Sequence, residues 1–254
     1  MSLLKIAKGI KLDRVSQYLK ANDLKSAFYE QQKSCQIPQL DFLLELFLGK
    51  KVDGVFVEVG AHDGISCSNT WGLAKRGWQG YLIEAIPEYA EKCRANHAQH
   101  SNVTVKQVAI GGADHTEAEF TVGGQLTTAN TELSNEYKKT SWAKSIITET
   151  QIKVPMMKLD TFLEESRISN KFDLLVVDVE GYEAEVFGNF DISLWQPKMI
   201  IVELTETHPD LRSNAKSDAK LGQVILSFDY VIVYKDSINT VFVKGESWKE
   251  ALGV

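Results

Sequence analysis

Apolar residues change their rhythm near position 50, and the change separates a helical beginning from an alternating remainder. From Met1 to about Gly49 the spacing is helical, first as Leu3, Ile6 and Ile10, then as the dense run Leu40, Phe42, Leu43, Leu44, Leu46, Phe47 and Leu48. Gly49 reads as the C-cap of that last helix. A helix apolar nearly all round must be covered, so it is expected to pack on the main domain or on a partner subunit. The second option would make a homo-oligomer through the N-terminal helices. After Val52 short apolar runs alternate with helical stretches. Val55 to Val59, Tyr81 to Ile83 and Val103 to Ile110 read as strands, separated by a helix over Ser66 to Gly77 and another that Pro87 opens towards His97. Leu174 to Val177 and Met199 to Val202 are short runs bounded by charge, as suits central strands covered on both faces. The pattern predicts an α/β fold built on a mostly parallel sheet.

Two stretches depart from that rhythm. Between Gly111 and Pro155 it loosens: Glu117 to Val122 reads as a strand, and Gly123-Gly124 leads into a polar tract ending near Thr140. A stretch this long is read as an insertion near 111–155, either a lid facing a substrate or a plain surface excursion. At the other end, Phe228 to Tyr234 and Thr240 to Val243 flank a polar turn, which predicts an antiparallel hairpin closing the sheet. The expected division is an N-terminal helical extension over 1–50 and one domain over 51–254.

Composition narrows the function classes. With 254 residues, 44% hydrophobic and 24% charged, the chain has the make-up of a soluble globular protein. Its net charge of -6 weighs against a general nucleic-acid binder. Cys35, Cys67 and Cys93 are scattered without CxxC spacing, so neither a disulfide framework nor a thiolate metal site is expected, and a reducing cytoplasm is. Lys5, Lys8 and Lys11 interrupt the apolar residues of the N-terminus, unlike a signal peptide. No apolar run reaches the ~18 residues of a membrane span.

The candidate chemistry starts where the first strand ends. In Val55-Phe56-Val57-Glu58-Val59-Gly60-Ala61-His62-Asp63-Gly64, small residues stand where a buried strand turns towards a helix, and Gly60 and Gly64 allow a tight turn and close approach of a ligand. Glu58 would serve the cationic amino-acid portion of a cofactor. Glu84 ends the next strand 20 positions beyond Gly64, where a carboxylate can hold both ribose hydroxyls, with Ala85 beside it. Val108 and Ala109, with Ile110, would wall an adenine ring. NAD would use the same geometry, but Asp63 in the turn would repel a pyrophosphate and suits a ligand carrying an ammonium and a sulfonium. That points to S-adenosylmethionine.

A second acidic cluster follows another apolar run. Asp178, Glu180 and Glu183 come after Phe172 to Val177, and Glu203, Glu206 and His208 come after Met199 to Val202. Carboxyl ends of strands are where open α/β sheets bind ligands. Asp178 and Glu203 could hold Mg²⁺ or another hard divalent cation through oxygen ligands. Without a metal, Asp178, Glu180 or His208 could act as general base.

With those residues in view, the chain resembles the FkbM-type S-adenosylmethionine-dependent methyltransferase family. The resemblance rests on FVEVGAHDG, GWQGYLIEAIP, KLDTFL, FDLLVVDVEGYEAEVF and MIIVEL, in that order between Val55 and Glu206. It departs at His62, where the family commonly has Asn. The resemblance implies a Rossmann-like class I methyltransferase sheet and O-methylation of a hydroxyl on a sugar, glycan or secondary metabolite. Glu58, Gly60, Ala61, His62, Asp63, Gly64, Glu84, Ala85, Val108, Ala109 and Asp178 are the expected cofactor contacts. The competing readings are an NAD-dependent oxidoreductase and a non-catalytic binding module on the same fold.

Overall fold

The residues that alternate along each predicted strand divide between the two faces of one sheet. The computed structural model describes residues 24–148 and 150–252. A helix α1 (Leu40–Leu48) precedes β1 (Val55–Val59), α2 (Trp71–Arg76), β2 (Gln79–Glu84), α3 (Pro87–Asn96) and β3 (Val103–Gln107). A short strand β4 (Ala109–Ile110) follows, and the insertion contributes β5 (Thr116–Thr121), a 3-10 turn (Gly124–Leu126), α4 (Thr131–Tyr137) and most of β6 (Gln151–Met157). The chain then returns through α5 (Leu159–Glu165), β7 (Leu174–Val177), α6 (Glu183–Gly188), α7 (Ile192–Trp195) and β8 (Met199–Glu203). It closes with α8 (Ala215–Ser227), β9 (Tyr230–Lys235), β10 (Asn239–Lys244) and α9 (Gly245–Leu252).

Among the described residues, seven strands form the main sheet in the order β3-β2-β1-β7-β8-β10-β9. β3 through β8 in that order run parallel, while β10 is antiparallel to both β8 and β9. The hairpin expected at the C-terminus is therefore present, with its second strand inserted next to β8. Val57, Val59, Leu175, Val177, Ile200 and Val202 face one apolar layer with Phe162, Phe187 and Trp195. Phe56, Leu174, Val176, Met199 and Ile201 face the other, with Leu40, Leu43, Leu44, Phe47 and Trp78. Both faces are dry, which is why these strands read as unbroken apolar runs.

Several expected elements are trimmed or split. Of the N-terminal helical reading, Leu3, Ile6 and Ile10 lie outside the described residues, and 24–39 is irregular. Ser26 accounts for part of that: its hydroxyl accepts the amides of Phe28 and Tyr29, a local turn that competes with helix. The apolar helix survives as α1, buried on the main sheet and stacked through Phe47 on Trp248 of α9, ring centroids 5.9 Å apart. The Ser66 to Gly77 helix shortens to α2, because Asp63 accepts the amides of Ile65 and Ser66 and Cys67 turns left-handed at φ 58°. Val103 to Ile110 divides at Val108, its second part leaving to pair with β6 in a three-stranded sheet ordered β4-β6-β5. The insertion is thus an ordered layer of strand and helix.

At the amino ends of the central strands, one carboxylate joins three segments. Asp173 accepts from Lys51 Nζ, Lys198 Nζ and the Val55 amide, each at 2.9 Å. Burial alone would raise its pKa, but the two lysines and the amide hold it below the ordinary carboxylate value. We expect Asp173→Ala to lower the unfolding free energy by roughly 2–3 kcal/mol, since the Val55 amide and two cations lose their acceptor while the lysines keep some water. Because the folded-state pKa is depressed, this stabilisation holds above the unfolded value and fades as pH falls below about 4. Urea melts of wild type and variant at pH 7 and pH 3 check both statements; equal losses at the two pH values would refute the ionic part.

Candidate functional site

The carboxyl ends of β1 and β7 cross so closely that no side chain fits between them. Gly60 has φ 88°, and a Cβ placed there would stand 1.7 Å from the carbonyl oxygen of Asp178. The Asp178 amide in turn donates to Val59 O at 3.0 Å. Only glycine permits that approach, and it brings the acidic ends of the two strands to one cavity. Glu58, Gly60, Ala61 and His62 line it from β1 and its turn, Glu84 and Ala85 from β2, and Val108 and Ala109 from the next strand. Asp178 and Glu180 line it from the end of β7.

Each acidic residue has a distinct local reason for its placement. Glu58 is buried, and its Oε2 accepts from the Thr70 hydroxyl at 2.6 Å. Burial pushes its pKa up to about 7, against the lowering effect of hydrogen bonds from Thr70 and the Asn69 amide. Glu84, also buried, accepts the His62 amide on one oxygen and the Ile86 amide on the other, each at 2.8 Å. Its pKa is raised by burial, which the two amides only partly offset. Asp63 and Gly64 do not line the cavity. The Asp63 carboxylate is occupied by Ile65, Ser66 and the Ser66 hydroxyl, and Gly64 O accepts from His97 Nε2 at 2.9 Å. Asp63 is thus a turn-forming group in this fold, whatever its net effect on a nearby anion.

The second acidic cluster gathers four carboxylates. Oxygens of Asp178, Glu183 and Glu203 lie within 4.8 Å of one another. Glu183 is buried and folds back on its own turn, accepting the amides of Val179 at 3.0 Å and Gly181 at 3.3 Å. Burial pushes the Glu183 pKa up to about 8 despite the Val179 amide. Burial raises Asp178 as well, offset by a hydrogen bond with Glu203. Glu203 is driven well above the usual carboxylate range by burial and by the charges of Glu180 and Asp178. A hydrogen bond between two carboxyl groups needs a proton, so Asp178 and Glu203 share one between them. Glu180 is likewise held high by burial and by Asp178, while the Tyr137 hydroxyl donates to it.

His208 lies away from the cavity lining. Its Nδ1 accepts the amides of Asp210 and Leu211, both at 3.1 Å, so the ring serves a turn beside Trp142. Glu206 pairs with Lys235. Other residues on the cavity wall escaped the sequence reading: Gln36, Ser68, Asn69, Tyr89, Phe120, Gly124 to Thr127 and Tyr182. Most come from loops or from the insertion, where no periodicity signals a shared surface. The run Ser68-Asn69-Thr70 did hold a signal, a polar cluster ahead of a helix, which is how it comes to satisfy Glu58.

Residues 58–232 match the family model described as the methyltransferase FkbM domain. The chain belongs to that family. It is accordingly a methyltransferase of the S-adenosylmethionine-dependent class, which decides between a methyl donor and NAD. The matched span runs from Glu58 through both acidic strand ends and the insertion into β9. No curated protein sequence matches the chain. Among solved structures it is similar to an O-methyltransferase from Bacillus cereus in complex with SAH, at 15% identity and TM-score 0.47, over 92% of this chain and 90% of that one. It is also similar to the O-methyltransferase TomG from Streptomyces achromogenes in complex with SAM, at 13% identity and TM-score 0.46, over 92% and 88%. A third likeness is to the fibrillarin pre-rRNA processing protein of Methanococcus jannaschii, at 14% identity and TM-score 0.42, over 77% and 68%.

Glu58 gives this site a measurable signature. Its folded-state pKa is raised, so its contribution to stability is complete below the unfolded value near 4.5 and is lost as pH rises through about 7. Glu58→Gln keeps an oxygen for Thr70 and removes the titration. The variant's melting temperature relative to wild type should therefore climb between pH 5 and pH 8, by roughly 2–4 °C for each kcal/mol relieved. A difference that stays flat across that range would show that Glu58 ionises freely.

Proposed function

We propose that the cavity binds S-adenosylmethionine and that the enzyme methylates a hydroxyl oxygen of a sugar, glycan or other small metabolite. The observation that supports this most is the convergence of Glu58, Glu84 and Asp178 on a single cavity at the carboxyl ends of three parallel strands. The lining suits the ligand part by part. Each Glu84 oxygen has one backbone donor and keeps lone-pair capacity for the ribose hydroxyls. Val108, Ala109 and Ile110 offer an apolar wall for the adenine. Glu58 is a carboxyl that an ammonium would bring to its charged form. When bound, the cofactor supplies an electrophilic methyl group on a sulfonium.

The protein's own task is to align the alcohol and receive its proton as the new oxygen–carbon bond forms and the carbon–sulfur bond breaks. Asp178, which shares a proton with Glu203, is the assigned acceptor, with Glu180 beside it on the cavity wall. Raised carboxyl pKa values favour that role, because a base titrating nearer neutrality accepts a proton from an alcohol more readily. A second reading draws on the close approach of Asp178, Glu183 and Glu203, a hard oxygen set suited to Mg²⁺. A cation there would replace the shared proton and acidify a bound hydroxyl directly.

Calorimetry with S-adenosylhomocysteine tests the cofactor half. Binding at pH 6.5 should release a fraction of a proton from Glu58, visible as a dependence on the buffer's ionisation enthalpy, and the release should vanish in Glu58→Gln. Glu84→Ala should weaken binding about 100-fold through the loss of two charge-assisted hydrogen bonds. Wild-type protein that ignores the ligand would sink the assignment. Binding without methylated product across a panel of sugars would favour a non-catalytic module.

The metal reading has a separate check. Mg²⁺ at millimolar concentration should raise the melting temperature of wild type and leave Asp178→Asn unmoved. No shift in wild type removes the cation from the mechanism and leaves the carboxyl pair as base.

A further inference from the structure

The turn that carries Asp178, Glu180 and Glu183 is held in shape from outside itself. Glu180 has φ 53° and Gly181 φ 86°, two successive left-handed residues of which only the second is glycine. A left-handed glutamate is strained and persists where its surroundings impose it. The surroundings here come largely from one segment of the insertion. Thr128 Oγ1 donates to the Glu180 carbonyl at 2.6 Å, and Asn130 Nδ2 donates to the Gly181 carbonyl at 2.8 Å. The Tyr137 hydroxyl donates to the Glu180 carboxylate. Leu133, on the same helix α4, packs so closely on Gly181 that a Cβ there would stand 2.5 Å from its Cδ2. Asn214 completes the grip, donating to Gly181 O at 3.1 Å and accepting from Asn130 at 3.0 Å.

These contacts join residues some 43–52 positions apart and fall on backbone and side chain of the same two residues. Tyr137 and Thr128 are fully buried, so neither is an incidental surface contact. The segment just before them crosses the cavity: Gln125 and Leu126 line it, and Gln125 Nε2 reaches Cys67 Sγ on the opposite lip at 3.7 Å. The insertion therefore touches both lips and grips one of them.

We infer that Tyr137 and Thr128 are positioning residues, which hold the Asp178–Glu183 turn in its left-handed form and so keep Asp178 and Glu180 on the wall of the methyl-donor cavity. Tyr137 acts on the Glu180 side chain and Thr128 on its backbone, so the two restrain the same turn independently. In their absence the left-handed glutamate loses its support, and the carboxylates drift from the cavity. The consequence for ligand binding rests on the proposed cofactor reading; the restraint on the turn does not.

Hydrogen exchange by mass spectrometry on the full chain, with Tyr137→Phe, Thr128→Val and Thr128→Ser, separates these parts. The peptide covering 178–183 should exchange about tenfold faster in Tyr137→Phe and in Thr128→Val, the size expected for one lost hydrogen bond. Peptides from β1 and β8 should match wild type, and Thr128→Ser, which keeps the hydroxyl, should restore the slow rate. S-adenosylhomocysteine should bind about tenfold more weakly to the first two variants and normally to the serine variant. Unchanged exchange in 178–183 would overturn the proposal, as would faster exchange with unaltered ligand affinity. Wild type that binds no S-adenosylhomocysteine defeats the cofactor reading instead, and the exchange rates still judge the restraint.

Discussion

The contact on which the site depends is the crossing of Gly60 over the Asp178 carbonyl. Parallel strands β1 and β7 are neighbours in the sheet, so both chains must leave the same edge within a few ångströms of each other. A Cβ at Gly60 would collide with backbone, which cannot move aside as a flexible side chain could. With hydrogen there instead, the turn after β1 lies against the turn after β7. Glu58 and Asp178, far apart in sequence, then face one cavity.

That convergence has an electrostatic cost. Glu58, Glu84, Asp178, Glu180, Glu183 and Glu203 are all raised above ordinary carboxylate values, burial being the leading cause in each. Among the described residues that line the cavity there is no lysine or arginine. The opposite edge of the sheet is arranged the other way, with Asp173 between Lys51 and Lys198. One edge is neutralised by ion pairs and held firm. At the other, burial holds all six of those carboxyl groups above their ordinary pKa, so the charged form is disfavoured there.

The insertion turns that edge into a defined shape. A stretch whose sequence shows only loosened periodicity supplies two strands of a three-stranded sheet and a helix, and the helix delivers Leu133 and Tyr137 to the Asp178–Glu183 turn. Asn130 caps the helix by accepting the Leu133 amide while its own amide nitrogen reaches Gly181. The residue that starts the helix thus also ties it to the site. Glu136, one position before Tyr137, accepts the amides of Arg212 and Ser213, so the far side of the helix is anchored to the loop after β8.

The sequence alone determined what repeats locally. Buried strands on a two-faced sheet must be apolar throughout, so Val55 to Val59, Leu174 to Val177 and Met199 to Val202 were legible as strands, and the polar residues ending them as the edge that borders the cavity. The glycine turn and Glu84 were legible because a tight turn and a strand-end carboxylate are short-range demands. Partners across the fold were not legible. Asp63 looked like a cavity residue and closes its own turn; His208 looked like a base and caps a loop; Tyr137 and Thr128 carried no signal at all. Side-chain direction at a strand end depends on which loop packs over it, and those loops lie 40 or more residues away in the chain. Only the tertiary structure brings them together, because hydrogen bonds between distant segments leave no period in the sequence.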